Sequence, residues 1–316
     1  MEKIILEEKM QTKLQRINLE LTSRCNYACV GCPTNDLIRG KGSMDVELYK
    51  SIFEEVGTDF ERIFLWGYGE PLLHPRITEL LRYSGNFSTK KVMSTTGWRL
   101  EDLSDIESLT SLDELIISIN GITQKTYAQH QINGDLSKVI RGLERVSPIM
   151  ADSKTRFIMQ AVAHKENLEE ISKMKEFARR YGFDMLVIKS FNVMDRKQET
   201  FDKFVPLGTP FSRYQNGLND PQKKPQSGIY PCEEWMVINW DGSVNPCCWD
   251  YRGEYQFGNV RELGVYGVWN NFVASRHRNQ IRQGKFLDIC VDCANSKIVK
   301  TNSFTDKGGE DVKKSI

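Results

Sequence analysis

Three cysteines, Cys25, Cys29 and Cys32, stand close together near the start of the chain in the segment CNYACVGCP. Thiolates ligate metals, exchange disulfides or attack electrophiles, and the C-x3-C-x2-C spacing restricts the choice. A structural zinc ion needs four ligands, and the nearest fourth in sequence is His74, one of only 4 histidines. A redox dithiol would use Cys29 and Cys32 and leave Cys25 idle. A four-iron cluster held by three thiolates leaves one iron without a protein ligand, free to bind a substrate or cofactor. On that reading the missing fourth cysteine is the functional feature. The other cysteines, Cys232, Cys247, Cys248, Cys290 and Cys293, lie far along the chain, which suggests a second, separate centre.

Thiols that share one centre need a rigid scaffold. The 316 residues leave room for two domains, or for one barrel with an addition. Lys+Arg number 43 against 42 Asp+Glu, so no basic field advertises nucleic acid or an anionic membrane. The N-terminal MEKIILEEKMQTK is charged throughout, and no run of about 18 apolar residues occurs. The expectation is a soluble cytoplasmic protein, in which cysteines bind metals or catalyse rather than pair as disulfides.

Strand-like and helix-like periodicity alternate from residue 14 onward. LQRINLEL (14–21) predicts a strand, VELYKSIFEEV (46–56) a helix, and RIFLWG (62–67) a strand followed by a helix from near Pro75. KVMST (91–95), ELIISI (114–119), RFIMQAV (156–162) and DMLVIKS (184–190) continue the strand series. Between the last two, Leu168, Ile171, Met174, Phe177, Ala178 and Tyr181 repeat at helical spacing. Continuous apolar strands covered by helices predict a parallel α/β sheet, a partial (β/α)6 TIM-type barrel. Such sheets carry their chemistry at the strands' carboxyl ends, where the first cysteine group follows strand one.

C-x3-C-x2-C after the first strand of a partial barrel resembles the radical S-adenosylmethionine (SAM) superfamily. The resemblance implies a four-iron, four-sulfur cluster on Cys25, Cys29 and Cys32, whose open iron chelates the amino and carboxylate groups of SAM. Gly67-Tyr-Gly69-Glu70-Pro71 after strand two is similar to the family's segment for the methionine amino group; glycine lets backbone approach closely and leaves carbonyls free. A tight turn into a helix explains the same residues. Ser94, Thr95 and Thr96 end strand three where the family contacts the ribose, and Ser118 and Asn120 end strand four at a comparable place, although each is also a common turn or cap residue. Gly31 stands where the family commonly has an aromatic near adenine, leaving that contact to Tyr27 or to a residue after strand five or six.

Cys232, Gly242 and Cys247, followed by Cys290 and Cys293, resemble the short SPASM or twitch extension, which carries an auxiliary four-iron cluster. A four-cysteine zinc ribbon has compatible spacing. INWDGSVNPCC predicts a hairpin turning at Asp241-Gly242. With Cys247 as the ligand, Cys248 is spare, facing away from its neighbour if the segment is extended. It is then either a small buried hydrophobe or a hydrogen-atom donor. The implied organisation is an extension (1–13), the barrel (14–193), a bridging loop (194–230), the auxiliary domain (231–296) and a solvated tail (297–316).

The resemblance implies an enzyme in which a one-electron reductant such as flavodoxin or ferredoxin reduces the first cluster. Cleavage of SAM then gives a 5′-deoxyadenosyl radical that abstracts hydrogen from an unactivated C–H bond. Two fates follow for the substrate radical: oxidation by the auxiliary cluster, as in a dehydrogenase, or hydrogen return from Cys248, as in an epimerase. The short segment before strand one favours a small polar substrate (sugar, aminocyclitol or aminoglycoside) over a peptide. An iron-sulfur electron-transfer protein is a different class, in which GYGEP and an open three-thiolate site would have no purpose.

Overall fold

The computed structural model describes residues 13–58, 60–218, 230–292 and 298–304. Six strands follow one another: β1 (Arg16–Leu19), β2 (Arg62–Phe64), β3 (Lys90–Thr95), β4 (Glu114–Ser118), β5 (Arg156–Ala163) and β6 (Met185–Ser190). Each pairs in parallel with its predecessor, which is the predicted partial barrel. Helices α1 (Val46–Val56), α2 (Ile77–Ser84), α3 (Gln124–His130), α4 (Leu136–Ala151) and α5 (Ile171–Arg180) lie between successive strands. The strands are shorter than the apolar runs that announced them: Leu14 and Leu21 stay buried but lie outside the β1 ladder.

Side-chain alternation gives the sheet two apolar faces. Ile17, Leu19, Ile63, Met93, Leu115, Ile117, Phe157 and Leu186 join the helices in the main core. Phe64, Val92, Ile116, Ile158, Met185 and Val187 fill the barrel's interior, with Trp66 and Trp235 beside them. Continuously apolar strands are what a sheet covered on both faces requires. At the amino ends of the strands the interior closes on ions: the buried Glu114 pairs with Arg62 at 3.3 Å and with Arg156.

The second half of the chain extends the same sheet. β7 (Trp235–Ile238) pairs in parallel with β1, and β8 (Ser243–Asn245) returns antiparallel as the expected hairpin, with Gly242 at φ +89° in its turn. β9 (Gly258–Asn259) pairs with β8 and leads into α7 (Val260–Asn270) and α8 (Phe272–Arg282). Glu55 of α1 accepts from the amides of Val265 (2.7 Å) and Tyr266 (2.8 Å), capping the part of α7 beyond its break at Gly264. At the opposite edge, β10 (Ile298–Ser303) pairs antiparallel with β6. That strand corrects part of the expected solvated tail: a polar segment still satisfies the unpaired backbone of a sheet edge. Residues 194–218, expected as loop, contain α6 (Gln198–Phe204), because Phe201, Phe204 and Val205 bury against Phe191, Val193 and Tyr214.

One carboxylate joins three of these parts. Glu20, just past β1 and 1% exposed, pairs with both guanidinium nitrogens of Arg39 (2.7 and 2.6 Å) at the far end of the cysteine loop. It also accepts from the amides of Tyr68 after β2 (3.1 Å) and Trp240 in the hairpin turn (3.3 Å). Arg39 in turn donates to the Tyr251 carbonyl at 3.2 Å. Replacing Glu20 by Gln leaves the buried Arg39 without its counter-charge, so stability should fall by about 3–5 kcal/mol. The urea midpoint of the variant measures this, and a midpoint equal to wild type would refute the role.

Candidate active site

The cysteine loop leaves β1 and crosses the carboxyl ends of the strands. It is held from behind by strand-like contacts: Val30 and Ala28 donate their amides to the carbonyls of His130 (3.0 Å) and Ile132 (3.1 Å). Cys25, Cys29 and Cys32 are partly exposed free thiols, and the Cys32 amide donates to the Cys29 carbonyl at 3.1 Å. Burial pushes the Cys25 thiol up to about 11, against an amide bond from Tyr27 at 3.4 Å. Cys29 is pushed well up by burial and then by the neighbouring Cys32 and Cys25. Cys25 and Cys29, each raised further by the charge of neighbouring thiols, share with Cys32 a loop that favours a bound cation, since a metal deprotonates its thiol ligands outright. Among the described residues no three His, Cys, Asp or Glu side chains are grouped to hold a single metal ion. His74, the nearest fourth zinc ligand in sequence, is spent elsewhere: its Nε2 pairs with the Met44 carbonyl at 2.7 Å and its Nδ1 accepts from the Arg76 amide at 3.1 Å.

The residues expected around SAM fall into two kinds. Gly67, Gly69, Ser94, Thr96 and Ser118 are partly exposed at the barrel mouth, with the Ser94 and Ser118 hydroxyls 3.5 Å apart. Glu70, Thr95 and Asn120 are buried and saturated by protein partners. The Glu70 carboxylate accepts from the Thr95 hydroxyl and from the amides of Thr96 (2.7 Å) and Leu72 (3.0 Å), which binds the GYGEP segment to the end of β3. The Asn120 side chain accepts from the Val162 amide (2.8 Å) and meets His130 Nδ1 (2.9 Å). Tyr27, one of the two places suggested for the adenine contact, is buried, its hydroxyl 3.0 Å from that of Tyr127 and their rings edge to face. Gly31 has φ +76°, a left-handed conformation, and Phe191 beyond β6 lies 3.4 Å from where its side chain would begin. An aromatic from just beyond β6 thus packs beside position 31, and the left-handed backbone there is what disfavours a side chain.

Of the second cysteine group, Cys232, Cys247, Cys248 and Cys290 form no disulfide, and Cys293 lies outside the described residues. Cys232 sits in a turn before β7, and the adjoining Tyr230 packs edge to face on Phe286 of the Cys290 segment, centroids 5.2 Å apart. Arg282 of α8 donates to Glu233 at 2.7 Å, and one turn earlier on the same helix stands Arg278. Arg278 is 6% exposed, stacks 3.9 Å over Trp269, donates to Ser275 at 3.2 Å and leaves Nη1 buried without a partner. Burial pushes it down to about 10, opposed by the charge of Cys232. No carboxylate pairs with it among the described residues, and an anionic thiolate-bound cluster would supply the missing counter-charge.

Cys247 and Cys248 were expected on an extended segment with opposed side chains; instead residues 246–249 form a turn in which the Asp250 amide donates to the Cys247 carbonyl at 3.3 Å. The Asn245 side-chain amide closes this turn, donating to the Asp250 carbonyl at 2.7 Å, while the Asp250 carboxylate accepts from the amides of Glu254 (2.8 Å) and Tyr255 (3.0 Å) in the next one. Two residues that sequence reasoning missed bring this turn to the barrel mouth. The Tyr68 hydroxyl donates to the Cys248 carbonyl, while its own carbonyl accepts from Thr34, whose hydroxyl lies 3.0 Å from Cys32 Sγ. Tyr68 therefore spans from the first cysteine group to the second. On β6, Lys189 lies within electrostatic reach of Cys248. The tyrosine was visible inside GYGEP, but only the fold gives it a partner distant in sequence.

Known proteins place this geometry. Residues 19–178 match the radical SAM superfamily, and residues 232–294 match an iron-sulfur cluster-binding domain, SPASM. The chain is similar to the tungsten-containing aldehyde ferredoxin oxidoreductase cofactor-modifying protein of Pyrococcus furiosus, at 24% identity over 89% of this chain and 87% of that protein. It is also similar to the S-adenosyl-L-methionine-dependent 2-deoxy-scyllo-inosamine dehydrogenase of Niallia circulans, at 22% identity over 92% of this chain and 96% of that protein. Among solved structures, BtrN in complex with AdoMet and 2-DOIA shares the fold with a TM-score of 0.56 at 18% identity, covering 92% of this chain and 97% of that one. Since the family match runs from the last residue of β1 to most of α5 with all three clustered thiols, this chain belongs to the radical SAM superfamily, carries a SPASM domain, and has a SAM-binding four-iron cluster, an auxiliary cluster and SAM as its cofactors.

Proposed function

We propose that the protein is a dehydrogenase acting in the cytoplasm on a small polar substrate, and that its auxiliary cluster takes an electron from the substrate radical. The observation that carries this reading is the Tyr68 span, which brings the loop after Cys247 over the mouth of the barrel that holds Cys25, Cys29 and Cys32. Electron acceptor and hydrogen abstraction then share one cavity. When bound, the first cluster would supply the one-electron reduction of SAM, the chemistry that opens an unactivated substrate C–H bond. Cys25, Cys29 and Cys32 would hold that cluster, and Cys232, Cys247, Cys290 and Cys293 the auxiliary one.

The chain's own contribution is position and exclusion of water. Ser94, Thr96 and Ser118 offer hydroxyls for the ribose at the ends of β3 and β4, while Trp66 and the apolar barrel interior deny water a route from below. Gly67 and Gly69 serve the cofactor by shaping the loop as well as by close approach. A Cβ on Gly69 would stand 2.0 Å from the Thr22 carbonyl and 2.8 Å from that of Arg24, the backbone leading into Cys25.

A second reading keeps Cys248 as hydrogen-atom donor in an epimerase acting on a sugar or peptide. Its support is placement: the thiol is partly exposed, in a turn that the Tyr68 hydroxyl ties to the barrel mouth.

Three measurements test these assignments. Changing Cys25, Cys29 and Cys32 together to Ala should remove about half of the reconstituted iron and all deoxyadenosine formation; continued deoxyadenosine formation would sink the central assignment. Gly69→Ala should lower both iron content and SAM affinity, the latter read from the change in electron-resonance spectrum on adding SAM, because the clash displaces backbone. Full iron with unchanged affinity would place the binding segment elsewhere. In turnover, the dehydrogenase reading expects a product lacking two hydrogens and near-normal behaviour of Cys248→Ala. A product of unchanged mass that gains one deuterium in heavy water, and is lost in Cys248→Ala, would select the epimerase.

A further inference from the structure

Along β6 the side chains alternate between the two faces of the sheet. Leu186 and Ile188 belong to the outer core beneath the helices, Met185 and Val187 to the barrel interior. Lys189 continues the inner series one residue before the strand ends, at the carboxyl end, opposite Val162 of β5. An ammonium group is thus carried into the mouth of the barrel, where Gln160 of β5 and Ser118 of β4 stand on the same inner face.

No carboxylate balances it. Among the described residues Lys189 has neither an ion pair nor a side-chain hydrogen bond, and the titratable group whose charge it feels is Cys248. The acids nearest the mouth are committed elsewhere: Glu20 to Arg39, Tyr68 and Trp240, and Glu70 to Thr95, Thr96 and Leu72. Burial pushes the ammonium down to about 8, so it remains mostly charged at neutral pH. An ammonium group partly withdrawn from water with no counter-charge is unfavourable, and a bound anion would offset that.

We propose that Lys189 anchors the substrate, and that the substrate carries an anionic oxygen group, a carboxylate or a phosphate. The inference rests on the reading of this mouth as the substrate cavity. It narrows that reading, since an amine-rich aminocyclitol or aminoglycoside would set like charge against Lys189, whereas a sugar acid or sugar phosphate would neutralise it.

The test uses holoprotein with both clusters loaded and reduced, without its native substrate, and two probes: inorganic phosphate and carboxylate-labelled 13C-succinate. A probe held at the mouth relaxes faster through the nearby paramagnetic clusters, which 31P and 13C relaxation report. We expect enhancement for at least one probe in wild type, retained in Lys189→Arg and reduced about tenfold in Lys189→Met, the loss of one charge-assisted hydrogen bond. Enhancement by phosphate alone or succinate alone identifies the group. Equal enhancement in wild type and Lys189→Met, or none in wild type with either probe, overturns the proposal. So does a Lys189→Met variant whose auxiliary-cluster potential falls while probe relaxation is unchanged, since the lysine would then be the cluster's counter-charge. Iron content and circular dichroism certify each variant, with Lys189→Gln replacing any that fails to fold. Wild-type deoxyadenosine formation is measured separately: its absence beside intact probe binding would defeat the reaction reading and leave the anion site standing.

Discussion

The buried carboxylate of Glu20 is the constraint on which the rest of the structure depends. A carboxylate at 1% exposure is tolerated only when every oxygen is occupied, and its occupants come from separate parts of the chain: Arg39, Tyr68 and Trp240. The cysteine loop, the glycine segment and the auxiliary hairpin are therefore set relative to one another by one group. Because β7 pairs with β1, the strand that ends at Glu20, the auxiliary region shares the barrel's sheet and cannot move independently of the loop it faces.

Around this fixed point the two cysteine groups are prepared by similar electrostatics. Burial raises the pKa of Cys25 and Cys29, so cationic iron would bind there in exchange for thiol protons. On the auxiliary side, Arg278 is a buried cation in search of an anion, stacked on Trp269 so that its plane is held while Nη1 stays unpaired. Low dielectric strengthens both effects. A charge left unpaired at this depth is tolerable in a protein that will carry a charged cluster.

The barrel interior is graded in the same manner. Its floor is an ion cluster around Glu114, its middle is apolar, and its mouth carries hydroxyls, Gln160 and the lone Lys189. The charges at the floor pair with one another, whereas Lys189 at the mouth meets no carboxylate. That gradient follows from the alternation of side chains on six parallel strands, and it places reactivity at the end where β1 delivers the thiols.

How much of this was legible in the sequence depends on how local its cause is. Continuous apolar strands between amphipathic helices determined the partial barrel, C-x3-C-x2-C determined the first centre, and Asp241-Gly242 determined the hairpin, since each is a short-range pattern. Tyr27 looked available for a ligand and is instead spent on Tyr127; Glu70 looked like a cofactor contact and has its carboxylate saturated by the end of β3. Residues 298–303 read as tail and became an edge strand, because an open sheet edge offers hydrogen bonds no local pattern announces. Phe191 beside Gly31, Tyr68 beneath Cys248 and Lys189 without a counter-charge were decided only by the tertiary structure. Sequence spacing sets which groups a strand end carries, but whether a buried group meets a partner depends on what other strands place beside it.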